Sequence, residues 1–230
     1  MIKNTLESFS KLNVTKDTLD SDKLKQMDEL GYLLLEPQKK IFDFIGQDLD
    51  YLRDKTENLL EKEGDKAGYE GREEHYRKGK RFEKIASRLG NLPNKDKAFF
   101  NWILLPELLC AAHHVIKKDI MFSSSNFRDP LKDKGRQPMH LDWLPRTNEN
   151  QNFDCIIAMM YLDDSNKMNG AIQVVPGTHK KLGYIEQYNV NPYEDHPDAI
   201  TIEAKAGSIT ILNCNIWHRG GANVSGERRR

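Results

Sequence analysis

Gln137-Pro138-Met139-His140-Leu141-Asp142-Trp143 decides how this chain folds. In extended backbone, residues two apart face the same side, so His140 and Asp142 can reach one point while Leu141 faces away. Near the far end, the apolar run Ser208 to Leu212 leads into Ile216-Trp217-His218-Arg219-Gly220-Gly221. Two imidazoles and one carboxylate on neighbouring strands form a facial triad. Such a triad leaves coordination positions open, which suits an iron(II) that must bind a co-substrate and dioxygen. An isolated H-x-D is a poor signal, since its histidine is usually a surface residue. The distal His218 gives the pair its weight.

Outward from this stretch, the second half of the chain has the texture of an antiparallel sandwich or barrel. Short apolar runs, Ile120–Ser123, Cys155–Leu162, Ile172–Val175, Ile200–Ile202 and Ser208–Leu212, are separated by Asp, Asn, Pro and Gly. The first half reads as helical. Asp20 or Ser21 caps a short helix carrying Leu24, Met27 and Leu30, and Gly31 suits its stop. Tyr32 to Glu36 is extended. A longer helix follows with Ile41, Ile45, Leu49 and Leu52 at helical spacing, continuing past Leu60 to Gly64. Residues 64–80 read as a charged mobile loop. Phe82, Ile85 and Leu89 mark another short helix with Gly90 as a stop, Asn94 caps the next, and Pro106 separates that one from the stretch around Leu108 to Ile116.

Composition narrows the classes. The 230 residues suit one domain, or one core with a helical annex. Lys+Arg and Asp+Glu both number 35, so net charge gives no steering toward nucleic acid or acidic membrane. Mean hydropathy is −0.72 and no apolar run approaches a membrane span, and the N-terminus lacks a signal-peptide layout. Cys110, Cys155 and Cys214 are odd in number and form no C-x-x-C pair, the pattern of reduced thiols in a cytoplasmic protein.

Three segments then carry a resemblance: QPMHLDW (137–143), NGAIQVVPGTHK (169–180) and WHRGGANVSGERRR (217–230), with GYLLLE (31–36) as a lesser match. Together they resemble the phytanoyl-CoA dioxygenase family of iron(II)- and 2-oxoglutarate-dependent oxygenases. The resemblance implies a mainly β fold, a double-stranded β-helix (jelly roll, cupin-like) barrel buttressed by N-terminal helices. It gives a single domain over 1–230, with a mostly helical scaffold over 1–117 and a catalytic barrel over 118–230. It implies His140, Asp142 and His218 as iron ligands. It also implies that Arg229, eleven residues beyond His218, binds the far carboxylate of 2-oxoglutarate, a task suited to a planar, permanently charged guanidinium. Arg228 or Arg230 takes this role if the register slips by one. Asn126 stands where some family members place an amide on the co-substrate, and reads equally as a turn residue. Family members often carry a hydroxyl side chain where this chain has Gly220, and continue past the position of Arg230, so the sequence is expected to be truncated at its C-terminus.

The implied activity is hydroxylation of an unactivated C–H bond of a small molecule, with dioxygen consumed, succinate and CO2 released, and ascorbate as reductant. Asp142 argues against halogenation, because in halogenating relatives a small residue takes that place. The rivals are a cupin-like metal-dependent isomerase or hydrolase, a nucleic-acid demethylase on a related barrel, against which the neutral charge and the PGTHK segment weigh, and a non-catalytic binding protein on the same fold. No nucleic-acid or membrane partner is expected, and the protein is expected to be a monomer or weak homodimer.

The remaining chemistry-bearing residues have plainer readings. Pro176-Gly177-Thr178-His179 reads as a turn closing the barrel mouth, not a metal site. His113 and His114 lie in an apolar helical stretch. Glu73-Glu74-His75 and the basic Arg77-Lys78-Gly79-Lys80-Arg81 read as solvated surface. Trp143 lines the pocket or packs in the core.

Overall fold

A computed structural model describes residues 5–67, 69–71 and 84–230. Glu73-Glu74-His75, the basic run 77–81, Phe82 and most of the expected 64–80 loop lie outside the described residues.

The chain opens with α1 (Thr5–Lys11) and α2 (Ser21–Leu30). Asp20 caps α2 by accepting the Lys23 N–H at 2.8 Å, and Gly31 closes it in the left-handed region at φ 82°. Strand β1 (Tyr32–Leu35) follows at once. The single helix expected over Ile41 to Gly64 is two, α3 (Lys39–Ile45) and α4 (Leu49–Glu63). Gly46, left-handed at φ 79°, ends the first, and Asp48 caps the second by accepting the Tyr51 N–H. Apolar spacing carried across this break because Ile41, Ile45 and Leu52 pack into one core.

Of the helix expected over Phe82 to Leu89, the described part, Lys84–Leu89, is instead a strand. β2 (Tyr69–Gly71), β3 (Lys84–Leu89) and β4 (Phe127–Pro130) form one antiparallel sheet in that order. Ile85 and Leu89 are four apart, which places them on one face of a strand as well as of a helix. Pairing of Ala86 through Leu89 with Pro130 through Phe127 settles the matter. The strand expected at Ile120–Ser123 does not form; Met121 is 92% exposed, and the ladder begins only at Phe127. Helices α5 (Lys97–Trp102) and α6 (Pro106–Ile116) lie between, the first capped by Asp96, not Asn94.

Two more three-stranded sheets build the site. One runs β1, β8 (Ile209–Asn213), β5 (Ile156–Met160); the other runs β7 (Ile200–Thr201), β6 (Ile172–Val175), β9 (Trp217–Gly220). All pairings are antiparallel. Alternation sorts the first sheet's side chains. Leu33, Leu35, Ile209 and Ile211 join the helices in the larger core. Tyr32, Leu34, Ile157, Met159 and Leu212 turn the other way, onto Ile172 and Val174 of the second sheet. Hydrogen bonding thus gives separate three-stranded sheets facing across an apolar layer, and three strands come from the chain's first half.

Candidate metal centre

His218 sits in β9, whose four residues are all buried, opposite Val174 of β6 and on the face turned toward the apolar layer. His140 joins it through an isolated bridge. The His140 N–H donates to the His218 carbonyl at 2.9 Å, and the His218 N–H returns the bond at 3.1 Å. The rings lie 4.4 Å apart. Each ring is oriented by its own backbone: Nδ1 of His140 bonds the Pro138 carbonyl at 2.8 Å, and Nδ1 of His218 bonds the Ile216 carbonyl at 3.0 Å. A carbonyl only accepts, so both Nδ1 atoms carry the proton and both Nε2 lone pairs are left for a ligand.

Those Nε2 atoms converge on Asp142. The carboxylate lies 3.5 Å from Nε2 of His140 and 3.4 Å from Nε2 of His218, and the three donor atoms fall within 4.8 Å of one another. Burial pushes the Asp142 carboxyl up, but the His140 and His218 rings beside it, which donate from Nε2 when protonated and give up that proton to a metal, more than reverse this and hold it well below the usual carboxylate range. The acid therefore enters the site as an anion. Asp142 is not in a strand; it lies in a bend, and its N–H donates to the Cys214 carbonyl at 3.0 Å. The Asn215 amide reinforces this by donating to the Leu144 carbonyl at 3.0 Å. The turn between β8 and β9 thus sets the position of the one ligand that no strand holds.

The second motif supports the first from behind. The Thr178 hydroxyl donates to the Val175 carbonyl at 2.6 Å and accepts the Trp217 N–H at 2.9 Å, which fixes β9 one residue from His218. His179 is buried against Gly31 and bonds the Asp28 carbonyl at 3.1 Å. Burial pulls its pKa down to about 4, so it is a neutral wedge between this turn and α2. His114 bonds Asp28 and His113 stacks edge-on to Phe9, both away from the triad. Trp143 is 46% exposed, so it is not a core residue.

At the C-terminal stretch, the flanking arginines are committed to ion pairs. Arg228 pairs with Asp129 and Glu57, and Arg230 with Asp163 and Glu57. Arg229 between them is buried, its N–H on Asp129 at 3.2 Å, and its charge acts on Tyr161. Tyr161 in turn bonds Thr210 at 3.1 Å, on the face of β8 that looks into the apolar layer. Asn126 is exposed just before β4, beside Gly90.

Sequence reasoning passed over Gln137 and Arg128. The Gln137 side-chain oxygen accepts the Gly220 N–H at 2.8 Å. A Cβ on Gly220 would stand 2.9 Å from that oxygen and 3.1 Å from an Arg128 nitrogen. These two groups occupy the place where the resemblance puts a hydroxyl side chain. The only available signal was that Gln137 opens the H-x-D segment. Sequence also missed Cys214, whose carbonyl holds Asp142; nothing in its side chain announces a backbone role.

The facing antiparallel sheets carry at their edge a two-histidine, one-carboxylate cluster, a donor set of the kind that half-open facial triads use to hold one metal ion. Residues 27–230 match the sequence profile of the phytanoyl-CoA dioxygenase (PhyH) family, and the chain belongs to that family. An uncharacterized protein of Mycobacterium tuberculosis (strain ATCC 25618 / H37Rv) is 26% identical over 147 residues, 58% of this chain and 49% of that one. The chain spans about half the length of the curated relatives it matches. Among solved structures, the non-heme alpha-ketoglutarate-dependent carbocyclase SnoK from nogalamycin biosynthesis superposes with a TM-score of 0.68 at 19% identity, covering 94% of this chain and 82% of SnoK. HygX from Streptomyces hygroscopicus, with nickel and 2-oxoglutarate bound, gives 0.68 at 15% identity, covering 92% and 84%. These two establish the fold. No helix among the described residues is long and apolar enough to cross a membrane.

Proposed function

We propose that this chain is an iron(II)- and 2-oxoglutarate-dependent dioxygenase that hydroxylates an unactivated C–H bond of a free small molecule. One observation carries the reading. Two histidines with Nδ1 tied to backbone carbonyls aim their Nε2 atoms at one ionised carboxylate. That donor set, two nitrogens and one oxygen, fits iron(II) and leaves three positions for exogenous ligands. Family membership supports the co-substrate, and HygX is a similar structure described with nickel and 2-oxoglutarate.

In this reading His140, Asp142 and His218 hold the iron. Arg229 pairs with the distal carboxylate of 2-oxoglutarate, while Arg228 and Arg230 stay in their ion pairs with Asp129, Glu57 and Asp163. Bound iron and 2-oxoglutarate supply dioxygen activation, with succinate and CO2 as co-products. The chain supplies orientation and dryness. The His140–His218 backbone bridge fixes the angle between two ligands, and the apolar layer of Leu34, Ile157, Met159 and Leu212 excludes water behind them. The Arg229 charge beside Tyr161 and Thr210 gives a dianionic co-substrate one end to dock. Asp142 fills the position that a halide needs in halogenating relatives, so hydroxylation is the proposed outcome. Similar folds also carry a carbocyclase, so the product must be identified directly.

The test is anaerobic loading with iron(II), then addition of 2-oxoglutarate and air. Succinate release at a rate that falls to background in His140→Ala is the expected result. Metal binding without any succinate, with or without added candidate substrates, would move the chain to the isomerase, hydrolase or binding-protein readings.

A further inference from the structure

Cys155 and Cys214 flank the ladder between β5 and β8. Ile156 pairs with Asn213, so the same register sets Cys155 directly opposite Cys214. The Cys214 N–H donates to the Cys155 carbonyl at 3.1 Å, and the two sulfurs lie 2.9 Å apart as free thiols. Directly opposed residues in an antiparallel pair have Cα atoms about 4.5–5.5 Å apart, inside the roughly 4.4–6.8 Å range a disulfide spans. Joining them needs only a small adjustment of the two strand ends, since the sulfurs must close from 2.9 Å to about 2.05 Å. Cys155 is half-buried and so within reach of solvent, while Cys214 is buried behind it. The Cys214 carbonyl is also the acceptor for the Asp142 N–H, the only backbone hydrogen bond that Asp142 donates.

We propose that Cys155 and Cys214 form an oxidative modification site, closed to a disulfide by hydrogen peroxide, and that closure weakens metal binding by shifting the carbonyl that positions Asp142. The Cys155 sulfur attacks the peroxide, breaking its O–O bond, forming a sulfur–oxygen bond and releasing one water. The Cys214 sulfur then displaces that oxygen, an S–S bond forms, and a second water leaves with the thiol protons. Two electrons pass from the sulfur pair to the peroxide, so the reaction balances with no other reactant. Cys110 stands apart, its sulfur 3.8 Å from the Thr15 carbonyl, and takes no part.

The site goes beyond the oxygenase reading and needs only the triad as a metal site. Its test uses metal-free Cys110→Ser protein, treated with hydrogen peroxide, desalted, then denatured in an alkylating reagent. The expected result is a mass lower by two hydrogens, no alkylation, and a cross-linked peptide joining positions 155 and 214. Cys155→Ala and Cys155→Ser both abolish the cross-link, which guards against one variant failing to fold. Manganese(II) affinity by calorimetry then falls about tenfold in the oxidised protein, in line with the ~10–100-fold cost of outer-shell changes, and recovers with a dithiol. Two alkylatable thiols after peroxide, or oxidation that stops at sulfinic acid, would overturn the pair. A disulfide that leaves manganese affinity unchanged would overturn its link to Asp142. A reduced protein that binds no manganese would sink that link and the metal centre together, while the mass result still judges the disulfide.

Discussion

His218 and Asp142 are both proposed to hold the same cation, yet the protein holds them in opposite ways. His218 lies in a fully buried strand, hydrogen-bonded to β6 on one side and bridged to His140 on the other. Asp142 lies in a bend with about a third of its side chain exposed, anchored through a turn. The difference teaches that this centre has a rigid half and a yielding half. Rigid ligands set geometry; the yielding one is where sequence changes or chemical modification can tune affinity.

The largest expected effect comes from breaking the rigid half. His218→Ala removes a ligand and leaves Asp142 facing one histidine, so manganese or iron binding falls below detection by calorimetry, well beyond the ~10–100-fold cost of an outer-shell change. Arg229→Met is next. It leaves metal affinity within about twofold and weakens 2-oxoglutarate binding to the metal-loaded protein by at least about tenfold, the loss of one charge-assisted pair at ~1.5–3 kcal/mol. Arg228→Met, in contrast, removes the pairs with Glu57 and with the buried Asp129, so it lowers unfolding stability while co-substrate binding falls less than in Arg229→Met.

Thr178→Val probes how the rigid half is built. It deletes the hydroxyl that accepts the Trp217 N–H and donates to the Val175 carbonyl. Leaving two buried backbone groups unpaired costs about 1–3 kcal/mol, read as a lower urea midpoint, with metal affinity falling only as far as β9 loosens. His179 gives a pH signature in the same turn. Its folded pKa, about 4, lies below its unfolded value of 6.5, so the unfolded chain binds the extra proton between them. The His179 contribution is fully present above pH 6.5 and is lost as pH falls toward 4, by up to about 3 kcal/mol. Urea unfolding across that range should show His179→Gln with a shallower acid loss than the parent chain.

How much of this could be read in the sequence divides along the same line. That His140, Asp142 and His218 would meet was legible because metal chemistry restricts which residue types can serve; the strand expected to carry the first two was not, since His140 sits in an isolated bridge and Asp142 in a bend. Strands β5, β6 and β8 were legible from short apolar runs bounded by turn residues. The strand at Lys84–Leu89 was not, since Ile85 and Leu89 satisfy helical and extended periods alike and the deciding partner, β4, is remote in the chain. The α3–α4 break hid behind apolar positions that stay in register across Gly46. Backbone roles were least legible of all. The Cys214 carbonyl and the Gln137 amide act through positions that the side-chain alphabet does not mark.

The smallest expected effect tests the yielding half. The Asn215 side chain donates to the Leu144 carbonyl, two residues beyond Asp142, and its own N–H is held by the Asn213 side chain. Asn215→Ala removes one bond from the turn but leaves the Cys214 carbonyl on the Asp142 N–H. If the bend is positioned by both bonds, manganese affinity drops at the low end of the outer-shell range, about tenfold or less. Unfolding stability should then change by about 1 kcal/mol, the net worth of one hydrogen bond. A loss as large as that of His218→Ala would mean that Asp142 is as rigidly built as the histidines and that the contrast between the two halves is false. No change at all would put the whole positioning burden on Cys214, which makes its carbonyl the single contact through which the bend can be moved.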